Sequence, residues 1–242
     1  MRETGVALIN SIRVATRGAA EGAVNWLRSL ANATEQSAAP TRQPLPVKRV
    51  AAQATGMWLA TRIAFVLITV LAPTFGFAPL GPTPQGVFSA NPQYAPVVLP
   101  FLINHPMLAN WVHWDASWYL LISMRGYDIF TASTTTWFPM YPLQIHLLTL
   151  VFGQDALLPA ALLLSNLATL AAFIGLGLLA AHEEQGKASS ASAPARLIKV
   201  TAAYPFAFFL FGPFTEGFFL ACVVFSVFCA RRGHWRWAAA SA

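Results

Sequence analysis

The hydrophobic positions of this chain fall in long uninterrupted windows, and most polar positions fall between them. Windows at 50–71, 157–181 and 214–230 approach or exceed the roughly 20 residues that a helix needs to cross a hydrocarbon core of about 30 Å. A shorter window covers 197–211. The pattern therefore predicts an all-α, polytopic transmembrane helical protein.

A further apolar window, at 138–152, is short for a span and is interrupted by Pro139 and Pro142. It either crosses the membrane or dips into it and returns to the same side. With a dip, every connection rich in Lys and Arg falls on the cytoplasmic side, whereas with a crossing the later ones face outward. The positive-inside rule favours the dip. The basic residues concerned are Lys48, Arg49, Lys187, Arg196, Lys199, Arg231, Arg232 and Arg236.

The rest of the chain consists of a leader and a long connection. Residues 1–47 show patchy periodicity and predict a cytoplasmic leader, disordered or amphipathic, ahead of a membrane domain at 48–242. Residues 73–112 are rich in turn formers and predict a long external loop. The residues from Trp235 onward have the pattern of a starting span, which predicts that the chain is the N-terminal part of a longer, C-terminally truncated protein.

The composition is that of a membrane protein, and it argues against a nucleic-acid partner and against a metal site at the cysteines. Hydrophobic residues make up 56% of the 242 residues and charged residues 10%, against about a quarter in soluble domains. The net charge of +6 lies in short groups beside apolar windows, so it indicates topology and not a nucleic-acid partner. Cys222 and Cys229 have no partner at metal-ligand spacing. Arg62, inside the first window, is expected to face protein groups or a wet cavity and not lipid.

Polar and aromatic residues gather between the first span and the window at 138–152. A helix that starts at Asp115 and stops at Gly126 would place Tyr119 on the same face as Asp115. Its tryptophans suit the headgroup layer, so we expect an interfacial helix in the first external loop. Asp115 has two alternative roles there. It is a first-turn carboxylate that accepts hydrogen bonds from free N–H groups and interacts favourably with the helix dipole, or it is a general base that takes the proton of a hydroxyl group.

Three blocks of the sequence resemble the PIG-V family, which comprises the second mannosyltransferase of GPI-anchor assembly and its bacterial relatives. The ordered set covers roughly residues 50 to 240. Two positions depart from the family pattern: Trp137 occupies a position that is commonly Phe, and Gly217 occupies one that is usually Ser. The blocks are His113-Trp114-Asp115 with Tyr119 and Gly126-Tyr127, then Trp137-Phe138-Pro139-Met140-Tyr141-Pro142, then Tyr204-Pro205-Phe206-Ala207-Phe208-Phe209 with Thr215-Glu216-Gly217 and Arg231-Arg232-Gly233-His234-Trp235.

The resemblance implies a fold of the GT-C type, a polyprenyl- or dolichyl-phosphate-linked mannose donor, and inversion at the anomeric carbon. Asp115 matches the acid of the first external loop in such enzymes and is the expected catalytic base, while Arg125 or His113 would compensate the departing phosphate. No cofactor is expected, because a carrier phosphate is already an adequate leaving group; a divalent metal stays open. The expected substrate-binding residues are His113, Trp114, Tyr119, Arg125, Tyr127, Phe138, Tyr141 and Glu216.

The sequence thus predicts a membrane glycosyltransferase that moves mannose, or another hexose, to a glycolipid or glycan acceptor on the non-cytoplasmic side. The expected location is a bacterial plasma membrane, or the endoplasmic reticulum membrane in a eukaryote. The main alternative is a non-catalytic membrane subunit or an inactive truncated homologue, with a partner subunit completing the assembly. A transporter fits less well, because no predicted span carries an ionisable pair.

Overall fold

The computed structural model describes residues 21, 45–75, 100–103, 108, 111–127, 136–185 and 192–242. The chain divides into two units, Met1–Pro44 and Leu45–Ala242, and the helices bounded below belong to the second. Most of the predicted leader at 1–47 and of the predicted loop at 73–112 lies outside the described residues.

The described residues form helices and turns without a strand, which confirms the predicted all-α class. Three 3-10 helices, at Ala72–Phe75, Gln154–Ala156 and Ala207–Leu210, lie between or next to the α-helices. The α-helices whose two ends both lie within the described residues are α1 (Val47–Leu71), α2 (Asp115–Arg125), α3 (Met140–Phe152), α4 (Leu157–Glu183), α5 (Ala193–Ala202), α6 (Glu216–Arg231) and α7 (Trp235–Ala240).

Two helical segments of the described part are long and apolar enough to cross a membrane. They are α1 and the segment Gln154–Glu183, which contains α4. They coincide with the windows at 50–71 and 157–181. The 13 residues of α3 extend about 20 Å, which is less than the roughly 30 Å of a hydrocarbon core. The 16 residues of α6 also fall short of a full span.

The predicted short span at 197–211 is wrong as a helix. α5 ends at Ala202, and residues 203–215 continue as turns around one 3-10 helix. Pro205 explains the break, because a proline disfavours helical backbone at the preceding residue and lacks an N–H group of its own. Pro213 interrupts the helical backbone after the window for the same reason, and α6 begins only at Glu216. Residues 203–215 are called the crossing segment below.

The first and fourth helices run antiparallel. Val50, near the start of α1, packs with Leu178 and Ala181 near the end of α4, whereas Arg62 further along α1 contacts Asn166 in the first half of α4. Whether the window at 138–152 dips or crosses also depends on residues 76–99, which lie outside the described part of the chain. The dip therefore stays a prediction.

One end of this helical unit collects the basic connections. Arg231 at the end of α6 lies 3.4 Å from Glu183 at the end of α4, and Pro194 of α5 lies near Gly177. Since Val50 packs at the same level, the starts of α1 and α5 and the ends of α4 and α6 lie together. We call this the basic end, and it carries Lys48, Arg49, Arg196, Arg231 and Arg232.

The helix predicted to lie at the interface is instead packed inside the unit. α2 has the predicted bounds and ends at Gly126, which has a φ of 73°. Seven of its eleven residues are buried, because apolar residues run continuously from Trp118 to Ile122 and leave no polar face. It packs beside α3, where His146 Nδ1 donates to the carbonyl of Ser123 at 2.8 Å, and against the first turns of α4.

Side chains of α1 and α4 bind the carbonyl groups of the crossing segment. Backbone groups that have left a helix need such partners wherever water is scarce. The arrangement confirms that Arg62 faces protein groups. The bonds are Arg62 Nη2 to Leu210 O (2.6 Å), Thr169 Oγ1 to Leu210 O (2.7 Å), Asn166 Nδ2 to Phe211 O (2.9 Å) and Ser165 Oγ to Phe214 O (2.7 Å).

Candidate functional site

The start of α2 meets the start of α6, and this contact joins two blocks that are distant in sequence. Tyr119 Oη lies 3.1 Å from Thr215 Oγ1, across 96 positions of the chain. Asp115 opens α2 one turn before Tyr119, and Glu216 follows Thr215 as the first residue of α6. We call Asp115, Tyr119, Thr215 and Glu216 the acid site. Three of these four are among the residues that the sequence selects.

Both carboxyl groups of the acid site are partly desolvated, and the charge of Asp115 acts on Glu216. Desolvation raises the pKa of Asp115 above its ordinary value. It also raises the pKa of Glu216, which the charge of Asp115 raises further, although backbone N–H groups of Glu216 and Thr215 act against this. Both residues nevertheless keep substantial exposed surface, so their desolvation is partial. The site therefore holds two interacting acids that a ligand can still reach.

The raised pKa of Glu216 predicts a stability effect that depends on pH. Because the folded-state pKa lies above the unfolded value, ionised Glu216 destabilises the fold above the folded pKa, and this penalty vanishes below the ordinary value of 4.5. We expect Glu216→Gln to raise the Tm relative to the wild type at pH 8, with the gain shrinking as the pH approaches 4.5. Thermal unfolding at several pH values, with Asp155→Asn as the control, measures this. The prediction is contradicted if the Tm of Glu216→Gln minus the Tm of the wild type is smaller at pH 8 than at pH 5.

The aromatic motif residues form the support of the acid site. Tyr141 is 2% exposed, and its hydroxyl lies 2.7 Å from the carbonyl of Ala161 and 2.8 Å from Ser165 Oγ. Its ring packs edge-on against Tyr119, with 5.3 Å between centroids. The sequence predicts that Tyr141 binds substrate, but the structure places it in the core between α2, α3 and α4. It can therefore position Tyr119 and cannot contact a ligand in this conformation.

Trp137 and Tyr127 extend this support. The ring of Trp137 packs edge-on against Tyr119 with centroids 5.4 Å apart, and the hydroxyl of Tyr127 donates to the carbonyl of Trp137 at 2.6 Å. Desolvation raises the pKa of Tyr119, and the charges of Asp115 and Glu216 raise it too, although the hydrogen bond with Thr215 opposes them. Tyr119 therefore remains a neutral hydrogen-bonding group.

The backbone immediately before Asp115 is strained. Trp114 has a φ of 47°, the one positive φ of a non-glycine residue in the described part of the chain. Such a conformation costs about 1–3 kcal/mol and is found preferentially at functional sites. Trp114 is the N-cap of α2 but forms no side-chain cap bond. Its ring is 62% exposed and lies near Phe208 and Phe209 of the crossing segment, while His113 packs beside it.

Two predicted site residues lie away from the acid site. Arg125 is at the opposite end of α2 from Asp115, about 15 Å along the helix axis. It lines a separate cavity of about 430 Å³ together with Tyr127 and His146. Phe138 is 78% exposed. The structure therefore brings Asp115, Tyr119 and Glu216 together and does not bring Arg125 to them.

Sequence reasoning missed two features of the site. Glu216 lines an apolar cavity of about 450 Å³ whose wall is formed largely by the crossing segment and α5, and Thr215 bonds to Tyr119. Pro205 and Pro213 could have indicated both features, because they interrupt the helix there. A prediction based on the length of apolar windows does not take these prolines into account. In the described residues, no group of three or more His, Cys, Asp or Glu side chains gathers as a metal site would.

Comparison with protein-family models, with curated proteins and with solved structures gives no match. The acid site and its surroundings are therefore the basis of the function proposed below. Their chemistry is that of two partly desolvated carboxyl groups beside hydroxyl groups and exposed aromatic rings.

Proposed function

We propose that this chain is the catalytic part of a membrane glycosyltransferase. It transfers a hexose, in the first place mannose, from a polyprenyl- or dolichyl-phosphate carrier to a hydroxyl group of a glycolipid or glycan. The observation that carries the proposal is the contact of Tyr119 with Thr215, which joins the helix starts that bear Asp115 and Glu216, both of which remain exposed. The resemblance of the same blocks to the PIG-V family supplies the substrate class.

The proposed reaction is a direct displacement. Asp115 takes the proton of the acceptor hydroxyl while its oxygen forms a bond to the anomeric carbon of the sugar. The bond from that carbon to the phosphate oxygen breaks, and its electron pair leaves with the carrier phosphate. The raised pKa makes Asp115 a stronger base than an ordinary carboxylate. Glu216, Tyr119 and Thr215 are placed to hydrogen-bond hydroxyl groups of the sugar or acceptor.

In this proposal the acid site lies on the non-cytoplasmic side, and the basic end faces the cytoplasm. Cysteine labelling tests the orientation in a variant whose Cys222 and Cys229 are replaced by Ser. We expect Asp155→Cys to react in intact cells with a membrane-impermeant maleimide and Arg196→Cys, at the basic end, to react only after permeabilisation. Labelling of both positions from the same side contradicts the proposed topology, and reversed labelling contradicts its direction.

The activity itself is tested with purified protein in proteoliposomes and polyprenyl-phosphate mannose labelled in the sugar. We expect label to pass to a glycolipid fraction prepared from the host, and no label to pass from a nucleotide sugar. Protein that is folded and inserted but transfers nothing with any lipid-linked hexose sinks the proposal, and the non-catalytic subunit then becomes the better description.

One observation favours a second function, that of an ion-coupled transporter. Interacting acids beside a non-helical segment resemble the ion sites of transporters, which are built where helices are interrupted. Ion coupling would make uptake into proteoliposomes depend on a proton or sodium gradient and on Glu216. Sugar transfer without any gradient separates the enzyme from the transporter.

A further inference from the structure

Arg62 forms a polar contact point between α1, α4 and the crossing segment. Its Nε donates to Asn166 Oδ1 at 2.6 Å, Nη1 to Thr61 Oγ1 at 2.9 Å, and Nη2 to the carbonyl of Leu210 at 2.6 Å. A guanidinium carries five N–H donors. These three bonds therefore leave two donors for another partner.

The charge of Arg62 is not explained by these bonds. All three acceptors are neutral, and Thr169 already donates to the carbonyl of Leu210. The side-chain ion pairs between described residues join Glu183 to His182 and to Arg231, and neither involves Arg62. A cation on a helix apolar enough to cross a membrane is costly and needs an anion, a water-filled cavity or, as at Leu210 here, a backbone carbonyl. A neutral donor such as Gln would satisfy the carbonyl without that penalty.

Two aromatic rings hold the guanidinium in a defined plane. Its central carbon lies 5.3 Å from the centre of the Trp58 ring and 5.5 Å from that of Phe211. Trp58 is itself held by a 2.9 Å bond from its indole N–H to the carbonyl of Asn166. A planar, pre-oriented guanidinium can present two parallel N–H groups to phosphate oxygens, whereas an ammonium binds phosphate as a point charge without that geometry.

Arg62 is also near the acid site. Nη2 lies 2.6 Å from the carbonyl of Leu210, and that carbonyl lies 2.7 Å from Thr169 Oγ1. A Cβ atom on Gly217 would stand 2.6 Å from the same Thr169 Oγ1. Leu210, whose carbonyl Arg62 binds, also lines the cavity that Glu216 lines. Arg62 and Glu216 therefore both lie next to Leu210 of the crossing segment.

We propose that Arg62 binds the phosphate group of a lipid, and that in the proposed reaction this is the carrier phosphate that leaves the sugar. The assignment rests on the proposed function for the identity of the lipid, but not for the phosphate chemistry. It transfers to Arg62 the role for which the sequence suggests Arg125 or His113. An isoprenyl phosphate and a phospholipid headgroup offer the same chemistry, and the test distinguishes them.

The test is binding to the purified full chain in detergent, measured by native mass spectrometry with undecaprenyl phosphate, undecaprenol and phosphatidylglycerol. We expect wild type to prefer undecaprenyl phosphate over undecaprenol. Arg62→Gln should weaken undecaprenyl phosphate binding roughly 10- to 100-fold and leave undecaprenol unchanged. Arg232→Gln is the matched control, because Arg232 also lies over an aromatic ring, that of Phe228 at 5.7 Å, but at the basic end.

Undiminished binding of undecaprenyl phosphate by folded Arg62→Gln overturns the proposal, as does equal loss of both isoprenoids. If Arg62→Gln does not fold, Arg62→Lys decides, since it should keep undecaprenol binding but weaken phosphate binding several-fold; no change overturns the proposal. Phosphatidylglycerol bound as tightly, with the same dependence on Arg62, supports the site and assigns it to a phospholipid headgroup. Because binding needs no turnover, a failed transfer assay with intact phosphate binding counts against the proposed function alone.

Discussion

Asp115→Asn is expected to lower the rate of sugar transfer by about 100- to 10,000-fold, the range that a positioned general base contributes. The amide keeps the size and the first-turn position of the side chain but cannot take a proton. Folding should be unaffected or slightly improved at neutral pH, because desolvation raises the pKa of Asp115 and the neutral amide avoids that penalty. Initial rates with labelled polyprenyl-phosphate mannose, at matched protein levels, measure the effect.

The control for this experiment is Asp155→Asn, which removes an acid from the turn before α4 and should transfer sugar at the wild-type rate. Equal rates for Asp115→Asn and wild type would show that Asp115 only stabilises the free N–H groups and the dipole at the first turn of α2. A loss for Glu216→Gln with none for Asp115→Asn would move the role of the base to α6.

Gly217→Ser is expected to lower the Tm by roughly 2–10 °C, even though serine is the usual residue of the resembling family. A Cβ at this position would stand 2.6 Å from Thr169 Oγ1 and 2.9 Å from the carbonyl of Ser165. The carbonyl belongs to the backbone of α4, so α6 would have to move away. That movement would carry Glu216 with it, and we expect transfer activity to fall as well.

Gly56→Ala is the matched control for the close packing of Gly217. Gly56 is also helical, but a Cβ there meets no atom within 4 Å, so alanine should leave the Tm unchanged or raise it slightly. Circular dichroism or a fluorescence melt of the two variants measures the difference. A Gly217→Ser protein as stable as Gly56→Ala would mean that α4 and α6 can separate without cost.

The sequence alone determined the features that depend on local pattern and charge. Apolar windows predicted α1 and α4, since length and composition suffice to define a long apolar helix. The start of α2 at Asp115 and its end at Gly126 followed from local backbone preferences. The distribution of Lys and Arg favoured the dip at 138–152, which stays a prediction.

The tertiary structure decided the features that depend on which groups meet. The window at 197–211 is apolar, but Pro205 and Pro213 interrupt it, and the freed carbonyls find donors on α1 and α4 that are distant in sequence. The aromatic residues of α2 suggested an interfacial helix, yet neighbours bury both sides of it. Spacing along the chain could not show that Asp115 lies near Glu216, or that Arg125 lies at the far end of its helix. Only the packing of separate helices brings such side chains together, because each contact joins residues between which the chain imposes no fixed distance.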